Sequence, residues 1–289
     1  MKVAGFNFIK NAVLYDYPIV EAITSILPIC DAFYIAVGKS EDDTLDLIKN
    51  ISSQKIRIIE TVWDESNRVG GKILADETNK AFDAISEEFD WCFYVQGDEV
   101  IHEKYLSVIK SGMEKHLKDY KVEGLLFHYL HFFGSYDFYG DARKWYRYEI
   151  RIIRNDKSIR SYKDAQGFRK NGEKLKVKLI EAWVYHYGWV KHPADQQKKV
   201  RNFRKFWHSE DKIELLEGNK LEFDYMDIDS LEKFEGTHPR VMMDRIKRIN
   251  WKFDFDPSYK NLNLKTRFLH LIEKYTGWRP GEYKNYRKS

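Results

Sequence analysis

The sharpest concentration of reactive side chains lies at the end of an apolar run. Trp91-Cys92-Phe93-Tyr94-Val95 leads straight into Gln96-Gly97-Asp98-Glu99. An unpaired carboxylate is costly at the end of a buried strand, so two in succession suggest a use for the charge. Oxygen donors placed there can hold Mg²⁺ or Mn²⁺, and the ion in turn binds a diphosphate. The same carboxylates would also suit the first turn of a following helix, where the dipole favours them. A second polar cluster, Gly38-Lys39-Ser40-Glu41-Asp42-Asp43-Thr44, follows another apolar run. It offers a tight turn, hydroxyls and carboxylates at an edge where a nucleotide would sit. It reads equally as an ordinary helix start, since Ser40 and Asp43 have capping-box spacing. Lys72, after Gly70-Gly71, could reach a phosphate or stay in solvent.

These clusters need elements to position them. Val3–Ile9 reads as a first strand. Asp16 and Pro18 announce a helix whose apolar residues Ile19, Val20, Ile23, Ile26 and Leu27 keep helical spacing. Ala32–Val37, Ile56–Ile59 and Trp91–Val95 are further strands, with helices around Leu45–Ile51 and Leu74–Phe89 between them. Continuous apolar strands alternating with amphipathic helices predict a doubly wound, mainly parallel α/β sheet. Ligands in such sheets bind beyond the carboxyl ends of the strands, so the residues after Phe8, Val37 and Val95 are the ones to watch. After Lys104 the pattern changes: a helix to about Lys118, a strand over Leu125–Leu130, and an alternating, half-exposed strand over Glu149–Arg154. From about His192 the chain turns helical and basic.

Bulk properties narrow the function. The 289 residues are 43% hydrophobic and 33% charged, enough for a large core under a well-solvated surface. The net charge of +4 is small, and tail cations are interleaved with Glu232, Glu235, Asp254 and Asp256. That argues against a nucleic-acid partner. Cys30 and Cys92 lie in apolar surroundings and read as buried reduced thiols. The first residues lack a signal peptide's apolar run, and no stretch approaches the ~20 apolar residues that span a bilayer. The expectation is a cytoplasmic protein, peripheral at the inner face of the membrane if it touches one. Residues 240–289 mix cations with Trp251, Phe253, Phe268, Leu269 and Trp278, which suits an amphipathic helix lying on an anionic membrane or packed on the main domain.

In order and spacing, residues 1–190 resemble the family 2 glycosyltransferases. The resemblance rests on Asn11 after the first strand, Ser40, Asp42 and Thr44 in the turn after the second, Asn79 in a later helix, and Gln96-Gly97-Asp98-Glu99 at the fourth strand's end. It implies a GT-A type, Rossmann-like fold with a catalytic domain over 1–210 and a helical, basic C-terminal extension over 211–289. Residues 1–100 would form the nucleotide-binding half and 101–210 the acceptor half. The implied reaction is inverting transfer from a nucleotide-diphosphate sugar to a glycan or lipid-linked acceptor, as in surface polysaccharide synthesis. Phe8, Lys10, Asn11, Ser40, Asp42, Lys72, Asn79, Gln96 and Gly97 would bind the donor. Asp98 and His186 would hold Mn²⁺ or Mg²⁺. Related enzymes place an acidic residue after a strand like Arg151-Ile152-Ile153-Arg154, so the resemblance implies Asp164 as general base, with Glu149 behind it. Two departures stand out: the first acid of the family turn is Val37 here, and the first acid of the D-x-D motif is Gln96. The family's loops over 60–75 and 130–170 would select sugar and acceptor. A nucleotidyltransferase acting on a sugar phosphate, or a non-catalytic anion-binding protein, remain alternatives. The first would open with a Gly-rich basic loop after strand one, which Phe8-Ile9-Lys10-Asn11 does not provide.

Overall fold

The computed structural model describes residues 1–64 and 69–289, so part of the expected sugar-selecting loop over 60–75 lies outside the described residues. The first third of the chain forms four parallel strands, β1 (Val3–Ile9), β2 (Ala32–Gly38), β3 (Ile56–Thr61) and β4 (Trp91–Tyr94), in the order β3-β2-β1-β4. Helices α1 (Ile19–Ile26), α2 (Thr44–Lys49) and α3 (Lys72–Asp83) connect them. This is the predicted α/β alternation. Ile19, Ile23 and Ile26 of α1 are fully buried against Phe33, Ile35 and Phe93. On the opposite face Ala81 and Phe82 of α3 pack with Phe6, Tyr94 and Phe168. Each helix therefore closes one side of the sheet, and β1 is buried along nearly its whole length.

The second part widens the same sheet. In chain order it comprises β5 (Glu99–Ile101), α4 (Leu106–Lys115), β6 (Gly124–Phe133), β7 (Phe138–Gly140) and β8 (Tyr148–Arg154). Then come β9 (Ile159–Tyr162), β10 (Gly167–Lys170), β11 (Glu173–Lys174), β12 (Lys176–Trp189) and α5 (Pro193–Arg204). Strand β8 runs antiparallel between β4 and β6, and β12 lies parallel to β6. The half-exposed character expected for Glu149–Arg154 is corrected here: Glu149 through Ile153 are all buried. Sequence alternation failed because Arg151 is paired inside the core. Arg151 clasps Glu99 with two bonds of 2.6 and 2.7 Å, and both side chains are fully buried.

The C-terminal extension carries α6 (Glu210–Glu217), β13 (Leu231–Lys233), α7 (Met243–Lys247), α8 (Leu264–Thr276) and β14 (Arg287–Lys288). It is stitched to the sheet at several points: β13 pairs with β7, and β14 pairs with the start of β12. The Trp251 indole donates to the Gly134 carbonyl at 2.8 Å. Arg245 bonds the carboxylates of Asp16 and Glu21 in the first, parallel part of the fold. Among the described residues no helix is long and apolar enough to cross a membrane.

Candidate functional site

A cavity of about 720 Å³ opens at the carboxyl ends of β1 and β4. Phe8, Ile9, Lys10 and Asn11 bring the end of β1 into its wall, and Gln96, Gly97 and Asp98 bring the end of β4. His186 and Trp189 come from β12; Lys199, Arg204 and Lys205 come from α5 and its end. The parallel half thus presents its strand ends to the crevice where α/β sheets bind ligands.

Asp98 is the electrostatic centre. Its Oδ2 accepts from the Lys199 ammonium at 2.9 Å, and its Oδ1 lies 3.8 Å from His186 Nε2. Burial by itself would raise the Asp98 carboxyl. The Lys199 charge, its hydrogen bond and the more distant Lys191 charge overcome that and hold it well below the usual carboxylate range. Lys199 also donates to the Gly188 carbonyl at 2.8 Å and lies 4.9 Å from the centre of the Tyr17 ring. Gly188 is what allows this crowding: a Cβ there would stand 2.6 Å from His186 Nε2 and 2.7 Å from Asp98 Oδ2. Lys191 is buried nearby, donates to the Asp16 carbonyl, and is pushed down to about 7 by burial and the neighbouring Lys199 charge.

The tautomers around His186 follow from its partners. His131 Nε2 lies 2.9 Å from the Tyr146 carbonyl, which can only accept, so that nitrogen carries the proton. Burial keeps His131 neutral, its pKa well below the ordinary value. Its Nδ1 must then accept from His186 Nδ1–H, 3.3 Å away. Burial also lowers His186, and the neutral ring leaves the Nε2 lone pair facing Asp98 Oδ1. A carboxylate oxygen and an imidazole lone pair turned toward each other fit a divalent cation. Among the described residues no third His, Cys, Asp or Glu joins them. Mg²⁺ and similar ions commonly take few protein ligands and complete their shell with phosphate oxygens and water.

The other predicted site residues separate into three groups. Asn11 reaches the cavity wall but also holds a loop: its backbone N–H donates to Ser40 Oγ at 3.0 Å, and its Oδ1 accepts from Glu41 N–H at 2.9 Å. Its φ of 54° is a conformation asparagine tolerates. Ser40 and Asp42 lie outside the cavity wall. Asp42 accepts from the Leu14 and Thr44 amides at 2.7 and 3.0 Å, tying the turn after β2 to the loop after β1. Asn79 Oδ1 accepts from Ser161 N–H at 2.8 Å and anchors β9, while Lys72 opens α3 in an exposed position. Gln96 faces the cavity with its amide nitrogen on the Ala165 carbonyl at 3.3 Å. Glu99 is spent on Arg151 and on the Tyr129 hydroxyl at 2.7 Å.

Asp164 and Glu149 define a second feature. A cavity of about 440 Å³ adjoins the first, and Tyr146, Asp164 and Gln166 line both. Its wall also includes Trp145, Tyr148, Glu149, Tyr162 and Lys163 and, in the C-terminal extension, Arg279, Tyr283 and Asn285. Glu149 is buried there. One carboxylate oxygen has no partner and the other is 3.5 Å from the Asn285 amide. Burial raises it to about 7, although the Arg151 charge opposes this. Lys199, Lys191, Tyr17 and Gly188 were not singled out as site residues from sequence. The available signal was the basic helix beginning just after the strand that carries His186.

No family model matches the chain, and no curated protein matches it. Solved structures do. TarS residues 1–349 from S. aureus is 15% identical, with 71% of this chain and 65% of that chain covered and a TM-score of 0.37. The 4-diphosphocytidyl-2C-methyl-D-erythritol synthase of Anaerococcus prevotii is 12% identical, covering 71% and 95%, with a TM-score of 0.37. The Mycobacterium tuberculosis glucosyl-3-phosphoglycerate synthase, solved with Mn²⁺, UDP-glucose and phosphoglyceric acid, is 14% identical over 44% of each chain, with a TM-score of 0.31. The chain spans less than two thirds of the length of the TarS chains it matches. At this level the similarities say nothing about substrate or reaction.

Proposed function

We propose that the chain is a glycosyltransferase that binds a nucleotide-diphosphate sugar in the larger cavity and a hydroxylated acceptor in the adjoining one. The observation that carries this reading is the junction itself. Asp164 stands in the wall of both cavities, and the Asp98–His186–Lys199 cluster lies in the larger one. An inverting transfer needs that layout: a polyanion site on one side and a carboxylate where the acceptor hydroxyl enters. Asp164 takes the hydroxyl proton as its oxygen attacks the sugar's anomeric carbon. The bond from that carbon to the diphosphate breaks, and the nucleoside diphosphate departs with the electron pair. A divalent ion held by Asp98 and His186 would supply further positive charge to the leaving diphosphate. Lys10, Lys199 and Lys205 furnish protein cations along the same wall.

The acceptor side suits carbohydrate. Trp145, Tyr146, Tyr148, Tyr162 and Tyr283 offer ring faces and hydroxyls. Of the cations there, Arg143 and Arg279 bond Glu273 and Lys144 bonds Asp229, while Lys163 lies over the Tyr162 ring. Lipid linkage of that acceptor is supported by α8. Glu273 ties the helix to Arg143, Arg147 and Arg279. Leu264, Phe268, Leu271 and Tyr275 form a stripe at helical spacing, and Trp278 follows just beyond the helix end; all are 51% to 84% exposed. Lys265 and Lys274 are exposed on the same helix, so we assign the stripe to an anionic lipid surface.

The test is a thermal-shift screen with UDP, GDP and CDP, each with Mn²⁺ or with chelator, followed by hydrolysis of the stabilising nucleotide's sugars. Stabilisation by a diphosphate and slow release of it from a sugar donor are expected. Stabilisation by triphosphates alone would move the chain to the nucleotidyltransferases.

A further inference from the structure

We propose that Lys199 is an exchangeable counter-ion: it occupies Asp98 while the site is empty and transfers to the diphosphate when the donor binds. This rests on the reading of the larger cavity as a diphosphate site. Among the described residues Lys199 has no other carboxylate partner, and its ammonium is held by Asp98 Oδ2 at 2.9 Å and the Gly188 carbonyl at 2.8 Å. Its side chain is largely buried at the cavity wall and lies against the Tyr17 ring. A lysine head is a point charge on a flexible four-carbon stem, so it can change partners without moving α5.

Charge balance gives the exchange its direction. The Asp98 carboxylate and the Lys199 ammonium cancel in the empty site. A divalent ion at Asp98 Oδ1 and His186 Nε2 would then stand beside an ammonium and share its carboxylate, so Lys199 opposes the ion until something else takes its charge. Diphosphate oxygens are that acceptor. With Lys199 turned to them, the Asp98 carboxylate would be free to hold the ion together with His186, and the ion's charge would add to that of Lys199 on the diphosphate. Lys199 therefore makes cation and diphosphate uptake mutually dependent. It also weakens the site's hold on a bare ion. Lys191 cannot substitute, because it is buried and committed to the Asp16 carbonyl.

The experiment uses the full chain, Mn²⁺ and inorganic pyrophosphate, followed by calorimetry and by the paramagnetic signal of free Mn²⁺. With Mn²⁺ alone, Lys199→Met should bind the ion about tenfold or more tightly than the wild type, because the competing ammonium is gone. With pyrophosphate in chelator, the same variant should bind about tenfold more weakly, because the cation that meets the phosphate is missing. Opposite signs from one substitution are the signature. Asp98→Asn should lose Mn²⁺ binding in both backgrounds, and circular dichroism checks that each variant is folded. Unchanged or weaker Mn²⁺ binding in Lys199→Met overturns the exchange, as does undiminished pyrophosphate binding or no Mn²⁺ uptake by either protein. Opposite signs with pyrophosphate but no binding of any nucleoside diphosphate would uphold the exchange and sink the glycosyltransferase reading.

Discussion

Glu149 should make the protein less stable as the pH rises from 4.5 to 7, and Glu149→Gln should remove that loss. The side chain is buried beside the smaller cavity with one oxygen unpartnered, and burial lifts its pKa from 4.5 to about 7. A raised acid favours its protonated form in the folded state. Below pH 4.5 both folded and unfolded chains carry the proton, and the stabilisation is complete. Between 4.5 and about 7 the unfolded chain releases it while the folded chain keeps it, so stability falls as pH rises. A gap of about 2.5 pH units corresponds to ~3 kcal/mol at 1.36 kcal/mol per unit. Glutamine keeps the shape and the neutral charge of the protonated acid. The measurement is urea unfolding of both proteins at pH 4.5, 6, 7 and 8. The variant should match the wild type at pH 4.5 and exceed it by up to ~3 kcal/mol at pH 8. Asp98 and the other carboxylates titrate in both proteins, so the difference between the curves isolates Glu149. A variant less stable than wild type at pH 8, or a difference that does not grow with pH, would refute the burial argument.

The other predictions concern charge pairs, the base and the helix surface. Arg151→Met leaves Glu99 buried without its partner and should cost about 3–5 kcal/mol in urea unfolding; a loss under 1 kcal/mol would show that the pair is not dry. Asp164→Asn should leave donor binding near normal while transfer drops by about 10²–10⁴-fold. Full activity in that variant would shift the base to Glu149. Phe268→Asp combined with Leu271→Asp should abolish co-sedimentation with anionic liposomes at low salt. Equal binding of wild type to neutral and anionic vesicles, or to neither, would rule out a charge-assisted lipid surface.

The parallel half of the fold was legible because its signal is local. Buried strands such as Ala32–Val37 are continuously apolar, and α1 shows a one-sided stripe, so period and length are enough. Glu149–Arg154 misled for the opposite reason. Its alternation is real in sequence, but Arg151 faces Glu99, which lies 52 residues away in the chain. Only tertiary pairing turns a polar position into a core one. The site divides in the same way. Asp98 was visible because a carboxylate at the end of an apolar strand is conspicuous. Lys199 was hidden in a run of cations, and nothing local separates the lysine that meets Asp98 from the exposed Lys198 beside it.

That difference bears on the residues of the turn after β2. Ser40, Asp42 and Thr44 stand where the family resemblance places nucleotide contacts, yet here they accept from the amides of Asn11, Leu14 and Ala12. Those bonds fix the loop that leaves β1 and follow directly on Lys10, whose ammonium lies 5.6 Å from the centre of the Trp63 ring in the cavity wall. Carboxylate and hydroxyl oxygens in a turn can serve a ligand or a neighbouring backbone. The backbone wins here because β1 and β2 are adjacent and parallel, which brings both carboxyl-end loops to the same edge. With Val37 in place of the first turn acid, no carboxylate remains at that position for a ribose or base. The groups in the cavity wall able to meet one include Lys10, Asn11, the aromatic surface of Phe8 and Trp63, and the carboxylate of Glu41 from the same turn.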